Sequence, residues 1–329
     1  MAAWWFDGIH VLSLIVLAWG TVSARDPFTG IVRYIAFGLL AALVWARLGA
    51  ADLALAEAAI GAGLTGALLL STLGRMGLRR ASGRTDEALG PELLDPRGHR
   101  PSRRATPVVA FALAAGVGGA IAAASLSLLR TAGPGMGPAV AALQPASGIE
   151  SGVAAVVLDF RAYDTLLEMA VLFAAVLAVW CLGTIRFRTP PWPTDPVLSS
   201  LSRTLSPFLI LVAGYLLQAG LHGPGGGFQA GAVLGAAGVL WTLADRRALR
   251  LGERGAARTG LTVGLGSLIV AALVPTLAGR PLLTYAPGTA PGWAWVIELC
   301  IAISVGLTLT ALFMGGLAEA PEEAGKELP

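Results

Sequence analysis

The sequence predicts an all-α, polytopic membrane protein of about nine transmembrane helices in modules of three, two and four, and three observations predict it. The 329 residues are 55% hydrophobic and 13% charged, with a mean hydropathy of +0.72. A soluble domain of this length needs far more charge to cover its surface. The apolar residues gather into runs of about 20, the length that crosses the hydrocarbon of a bilayer. The arginines, finally, crowd into alternate gaps between those runs.

The predicted spans are 4–24, 29–48, 51–73, 106–130, 161–184, 204–221, 229–245, 258–278 and 293–316. The first run, MAAWWFDGIHVLSLIVLAWG, has no basic residue ahead of it and carries Asp7 and His10, i,i+3 neighbours able to pair, so it reads as a retained helix rather than a cleaved signal. The third run carries Asp52 and Glu57, followed by Gly61, Gly63 and Gly66, small residues that let a neighbouring helix approach closely. Asp159 stands just before the fifth and Arg161 opens it, clustering with Asp164 as a solvated rim with an ion pair, while Asp164 and Glu168 share a face at i,i+4. The sixth ends in LHGPGGGF, a connection that calls for glycine. Trp293 and Trp295 open the ninth and read as an interfacial belt. Cys181 and Cys300 lie in apolar runs with no metal-ligand spacing and read as buried small hydrophobes.

Loop 74–105 contains Arg75, Arg79, Arg80, Arg84, Arg97, Arg100, Arg103 and Arg104, which places it in the cytoplasm. Alternating outward from it leaves eighteen arginines inside and only Arg47, Arg130, Arg161 and Arg280 outside. That asymmetry predicts an amino terminus outside and a cytoplasmic carboxyl tail. The expected organisation is a three-helix module over 1–75, a linker over 76–105, a two-helix module over 106–185, a proline-rich linker over 186–199 and a four-helix module over 200–329. No internal repeat argues for a self-sufficient transporter.

Charged groups at membrane depth are the first candidates for function. Glu57 suits a carboxylate at a helix interface that exchanges a proton or holds a cation, or one that makes a structural hydrogen bond. Glu168 lies deeper than Asp164 and admits the same two readings. Glu298 stands one turn into the ninth run, where it can reach headgroups or water. Tyr215, Gln218 and His222 fall on one face leading to the turn, and an imidazole there makes His222 a candidate proton relay. Gly223, Pro224, Gly225, Gly226 and Gly227 form the turn itself; the lysine and Ser/Thr of a phosphate-binding loop are absent. No nucleophile–His–acid constellation or metal cluster is evident, so neither an enzyme nor a cofactor is expected. Nucleic acid is not an expected partner.

These strings resemble a known family. ADLALAEAAIG at 51–61 and VVLDFRAYDTLLEMAVL at 156–172 resemble the carboxy-terminal region of the MrpA-type component of Mrp-type multisubunit Na+/H+ antiporters, also found as a small subunit of membrane-bound hydrogenases. SPFLILVAGYLLQAGLHGPGGGFQAGAVL at 206–234 resembles the signature of the MrpB-type component. The pieces stand in family order across nearly the whole chain, as a fusion of the two. Departures are Ala56 in place of the usual Thr, Ala162 and Leu167 in place of Gly, and a turn shortened between His222 and Pro224.

The resemblance implies an accessory subunit of a Na+/H+ antiporter complex, with large proton-pump-like subunits, small helical subunits, lipid, Na+ and H+ as partners. Lys326 is the only lysine and lies outside every span, so the lysine-based pumping of the large subunits is not expected here. The acidic positions Asp52, Glu57, Asp159, Asp164 and Glu168 match the family's, and Glu298 falls where the MrpB-type component tends to carry an acid. Membership of a redox-driven, complex I-like assembly and a purely structural scaffold are the alternatives.

Overall fold

The computed structural model describes residues 2–81, 105–131, 133, 135–181, 196–244, 255–286 and 288–315. Among these residues all regular structure is helical: α1 (Ala2–Val22), α2 (Pro27–Arg47), α3 (Ala51–Ala56), π1 (Glu57–Leu64), α4 (Thr65–Ala81), α5 (Ala105–Thr131), α6 (Gly137–Ser147), α7 (Gly152–Ala155), π2 (Val156–Phe160), α8 (Ala162–Cys181), α9 (Pro196–Ala219), α10 (Gly227–Ala244), α11 (Gly255–Leu277) and α12 (Ala290–Gly315). Nine spans among them are long and apolar enough to cross a membrane, the third running continuously through α3, π1 and α4. The chain is an all-α, multi-pass membrane protein.

Two features depart from the sequence expectation. Span six begins at Pro196 instead of 204, because proline at the first helical position suits a helix start and the added turns carry Ser199, Ser200, Ser202 and Arg203, which fall below the hydropathy of a span. The stretch before α8 is helical too: α6 and α7–π2 form a pair bent by 82°. Each piece is too short to register as a span, and the Gly148–Ser151 break conceals their continuity. Most of both expected linkers lies outside the described residues.

One compact unit comprises Met1–Leu73 with Leu143–Pro329, and a second comprises Gly74–Ala142. The second carries α5, whose side chains from Phe111 to Leu128 are all exposed. An α-helix satisfies its own backbone and so tolerates such exposure in lipid.

In the first unit α12 is the central helix, with Ile297, Ile301, Val305 and Phe313 at most 1% exposed. Helix α10 approaches it through small residues. A Cβ on Gly231 would lie 2.6 Å from Val305 Cβ, and one on Gly235 2.9 Å from Leu309 Cβ. Without a hydrophobic drive between helices in lipid, such close backbone approach supplies the packing energy. Ser304 Oγ donates to the Leu261 carbonyl at 2.7 Å and ties α12 to α11.

Helices α1 and α2 form a hairpin. Asp26 caps α2 by accepting from the Thr29 backbone N–H at 2.9 Å, which holds its carboxyl below the usual range. At the far end the Arg47 guanidinium bonds the Asp7 carboxylate and stands 5.3 Å from the Phe6 ring centroid. Asp7 thus pairs with arginine rather than with His10, whose Nδ1 faces the Phe6 carbonyl. The cysteines are a correction as well: Cys181 is exposed at the end of α8 and Cys300 partly so, because each occupies an outward position on its helix.

Candidate functional site

The glycine turn between α9 and α10 organises the site. Gly225 and Gly226 have φ of +146° and +116°, which only glycine adopts without strain. The turn folds back on α9: the Gly226 N–H donates to the Leu216 carbonyl at 2.8 Å, and any side chain on Gly225 would run into that carbonyl.

Two carboxylates from opposite ends of the sequence close on this turn. Asp52, in the first turn of α3, accepts from the Gly225 N–H at 2.7 Å and from the Gln229 side-chain amide at 3.4 Å. Glu298 on α12 accepts from the Gly227 N–H. It is 6% exposed, so burial under the turn replaces the expected reach to headgroups. The donors are the amides of a helix N-terminus, where the backbone dipole favours negative charge. A Cβ on Gly226 would sit 2.8 Å from the Glu298 carboxylate, so the close approach itself demands glycine.

Glu57 opens π1. A π turn shifts the backbone hydrogen bonds by one residue and leaves carbonyls to be satisfied otherwise. The Tyr34 hydroxyl donates to the Gly61 carbonyl at 3.2 Å and Thr65 Oγ1 to the Ile60 carbonyl at 2.9 Å. The Glu57 carboxylate lies over Gly61, where a Cβ would meet its Oε2 at 3.2 Å. Gly38 of α2 packs on Ala62, at 2.9 Å from a Cβ position to Ala62 Cβ. Glu57 is therefore half-buried, five residues beyond the anchored Asp52.

Asp164 pairs with Arg161 at 2.6 Å, and Glu168 is exposed on α8, one turn further along the helix. His222 lies past the end of α9, its Nδ1 3.3 Å from the Gln218 carbonyl and its Nε2 4.0 Å from a Glu150 oxygen. Beside it the Ser151 N–H donates to the Leu221 carbonyl at 2.8 Å. The Tyr285 hydroxyl donates to the Leu158 carbonyl of π2 at 3.0 Å, and burial with the charge of Asp159 pushes its phenol up to about 12. The structure thus gathers Asp52 and Glu298 on the turn and leaves Glu168 apart. Gln229, Glu150 and Tyr285 carry no sequence signal, since their partners are distant in the chain. Among the described residues no group of three His, Cys, Asp or Glu side chains is arranged to hold a metal ion.

Residues 12–77 match the MbhD family, a component of MBH, and residues 197–315 match the domain related to the MnhB subunit of Na+/H+ antiporters. No curated protein matches. Among solved structures, the Mrp complex from Dietzia sp. DQ12-45-1b aligns with a TM-score of 0.71 at 25% identity, covering 96% of this chain and 35% of the other. The chain therefore spans about a third of the length of the chain it matches. These two domains, the likeness to the Mrp complex and the all-helical structure of the described residues support a membrane subunit of the Mrp antiporter class. Within that class it is a fusion of the MrpA-type carboxy-terminal region with the MrpB-type component.

Proposed function

We propose that the chain is an accessory subunit of a multisubunit monovalent cation (Na+)/H+ antiporter complex, contributing helix scaffold and part of an ion or proton path. The observation that carries this is Glu57: an ionisable side chain inside a membrane span, on a π segment, with small residues where a neighbouring helix packs. Glu57 and Glu168 carry the path, with Asp52, Asp164, Glu298 and His222 flanking its outer end. The exposed face of α8 around Glu168 meets other subunits rather than lipid, because a carboxylate at lipid depth requires a polar partner. Partners are the large proton-pump-like subunits and small helical subunits, and no enzyme activity resides in this chain.

The chain lies in the inner (plasma) membrane with its amino terminus outside and its tail in the cytoplasm. Arginine placement supports that orientation, and requires the bent α6/α7–π2 pair to enter and leave on the outer face. A crossing there would carry Arg186, Arg188 and Arg203 outside.

The test is Glu57→Gln in the full complex, with Na+/H+ exchange measured in everted vesicles. Exchange collapses while native gels show the complex assembled. Unchanged exchange rejects the ion path, and loss of assembly favours the scaffold. The match of residues 12–77 to an MBH component family favours a second reading, a place in a redox-driven assembly such as a membrane-bound hydrogenase. Purification of the complex with its partners identified by mass separates the two: hydrogenase-like soluble subunits support the second reading and their absence the first.

A further inference from the structure

The amino-terminal and carboxy-terminal family domains meet at the glycine turn through a contact that the ion-path reading leaves unexplained. Asp52 lies at the outer end of the third span, yet among the described residues its carboxylate neither caps its own helix nor pairs with a cation. It accepts from Gly225, 173 residues away, and from Gln229 on the first turn of α10. Gln229 also reaches the Asp52 backbone carbonyl at 3.5 Å, so backbone and side chain of one residue are gripped together. The other wall of the turn is fixed by Glu298 of the central helix. Helix α10, which packs on both α3 and π1, is thereby referenced to the most buried element of the fold.

We propose that Asp52 is a positioning residue: by docking on Gly225 and Gln229 it sets the axial position of the third span, and with it the placement of Glu57. The inference rests on the reading of Glu57 as an ion-path group. Asp52 and Glu57 are five residues apart on continuous helix, about 7.5 Å along its axis. A π segment carries its hydrogen bonds one step out of register and is rare beyond a single turn, so the eight residues of π1 call for support from outside the helix. Tyr34 and Thr65 satisfy the carbonyls within π1; at its outer end, one turn beyond Glu57, the grip on Asp52 is the tertiary hydrogen bond. Releasing it lets the Glu57 carboxylate move relative to Gly61 and Ala62, which changes the environment in which it takes up and releases a proton.

The experiment uses the assembled complex in everted vesicles, with exchange rate recorded against pH and assembly followed on native gels. Asp52→Ala lowers maximal exchange about tenfold, as a displaced reacting group does, and shifts the pH profile, whereas a scaffold residue would scale the rate at every pH alike. Asp52→Asn, which keeps an accepting oxygen, recovers part of the loss. Gln229→Leu shifts the profile in the same direction, and combined with Asp52→Ala it adds nothing, because both act through one contact. Should Asp52→Ala fail to assemble, the Gln229→Leu profile decides: a shift supports the proposal and an unmoved profile overturns it. Exchange that is lost in Glu57→Gln but indifferent to Asp52→Ala overturns this inference alone. Exchange that survives Glu57→Gln overturns the ion-path reading and this inference with it.

Discussion

The Glu298 carboxylate lies under the Gly227 N–H, fixing the first turn of α10 to the central helix from 71 residues away. Removing the acceptor leaves a buried backbone donor unpaired, at about 1–3 kcal/mol. Glu298→Ala is expected to lose that much stability in detergent, read as a fall in melting temperature. Glu298→Gln, which keeps an accepting oxygen, loses less. Equal losses in the two variants would show that the hydrogen bond is not what stabilises this region.

Gly225 combines positive φ with a side-chain position blocked by the Leu216 carbonyl. Backbone cannot move aside as a flexible side chain does, so Gly225→Ala is expected to destabilise by about 1–3 kcal/mol or more. Gly223, which has open space around it, serves as the control. Gly223→Ala should leave the thermal transition almost unmoved.

The α10–α12 seam predicts an overpacking effect. Gly231→Val places branched carbons against Val305 where a Cβ alone already lies at 2.6 Å, and should lower stability by about 1–3 kcal/mol. The double variant Gly231→Val with Val305→Ala recovers part of the loss if the clash is the cause. Thermal unfolding of the purified protein measures both.

Tyr285 gives a pH dependence. Its phenol is raised from an ordinary 10.0 to about 12, chiefly by burial and further by the charge of Asp159. The folded state thus holds the proton more tightly than the unfolded chain. This contribution is complete below pH 10 and is lost as pH rises from there through about 12. Tyr285→Phe removes the hydrogen bond to Leu158, about 1 kcal/mol, and should flatten the alkaline part of the unfolding curve.

Orientation is checked by single cysteines in a chain whose Cys181 and Cys300 are replaced by serine. A cysteine at Ala142 should react with an impermeant reagent from outside, and one at Thr189 only from the cytoplasm. Labelling of Thr189 from outside would mean that the bent pair crosses the membrane.

Much of the fold was legible in the sequence because a bilayer imposes a length and a polarity on every span. Nine runs of apolar residues became nine helical spans among the described residues, and two short strings, at 51–61 and 206–234, fall inside the two matched domains over 12–77 and 197–315. Glycines in the turn were equally readable, since their need for positive φ is local. The α6 and α7–π2 helices were not, because each is short and carries neither the length nor the periodicity of a span.

By itself, then, the sequence determined the class, the spans and the carboxylates at membrane depth. Only the tertiary structure decided which of those carboxylates meet. Asp52 and Glu298 share a turn because helix packing brings chain positions 246 residues apart to one end of the bundle, and the third span takes a π step at Glu57, a register that no residue propensity encodes. Span formation is governed by each segment's own transfer into lipid, whereas register and side-chain pairing depend on neighbours that the linear order does not place side by side.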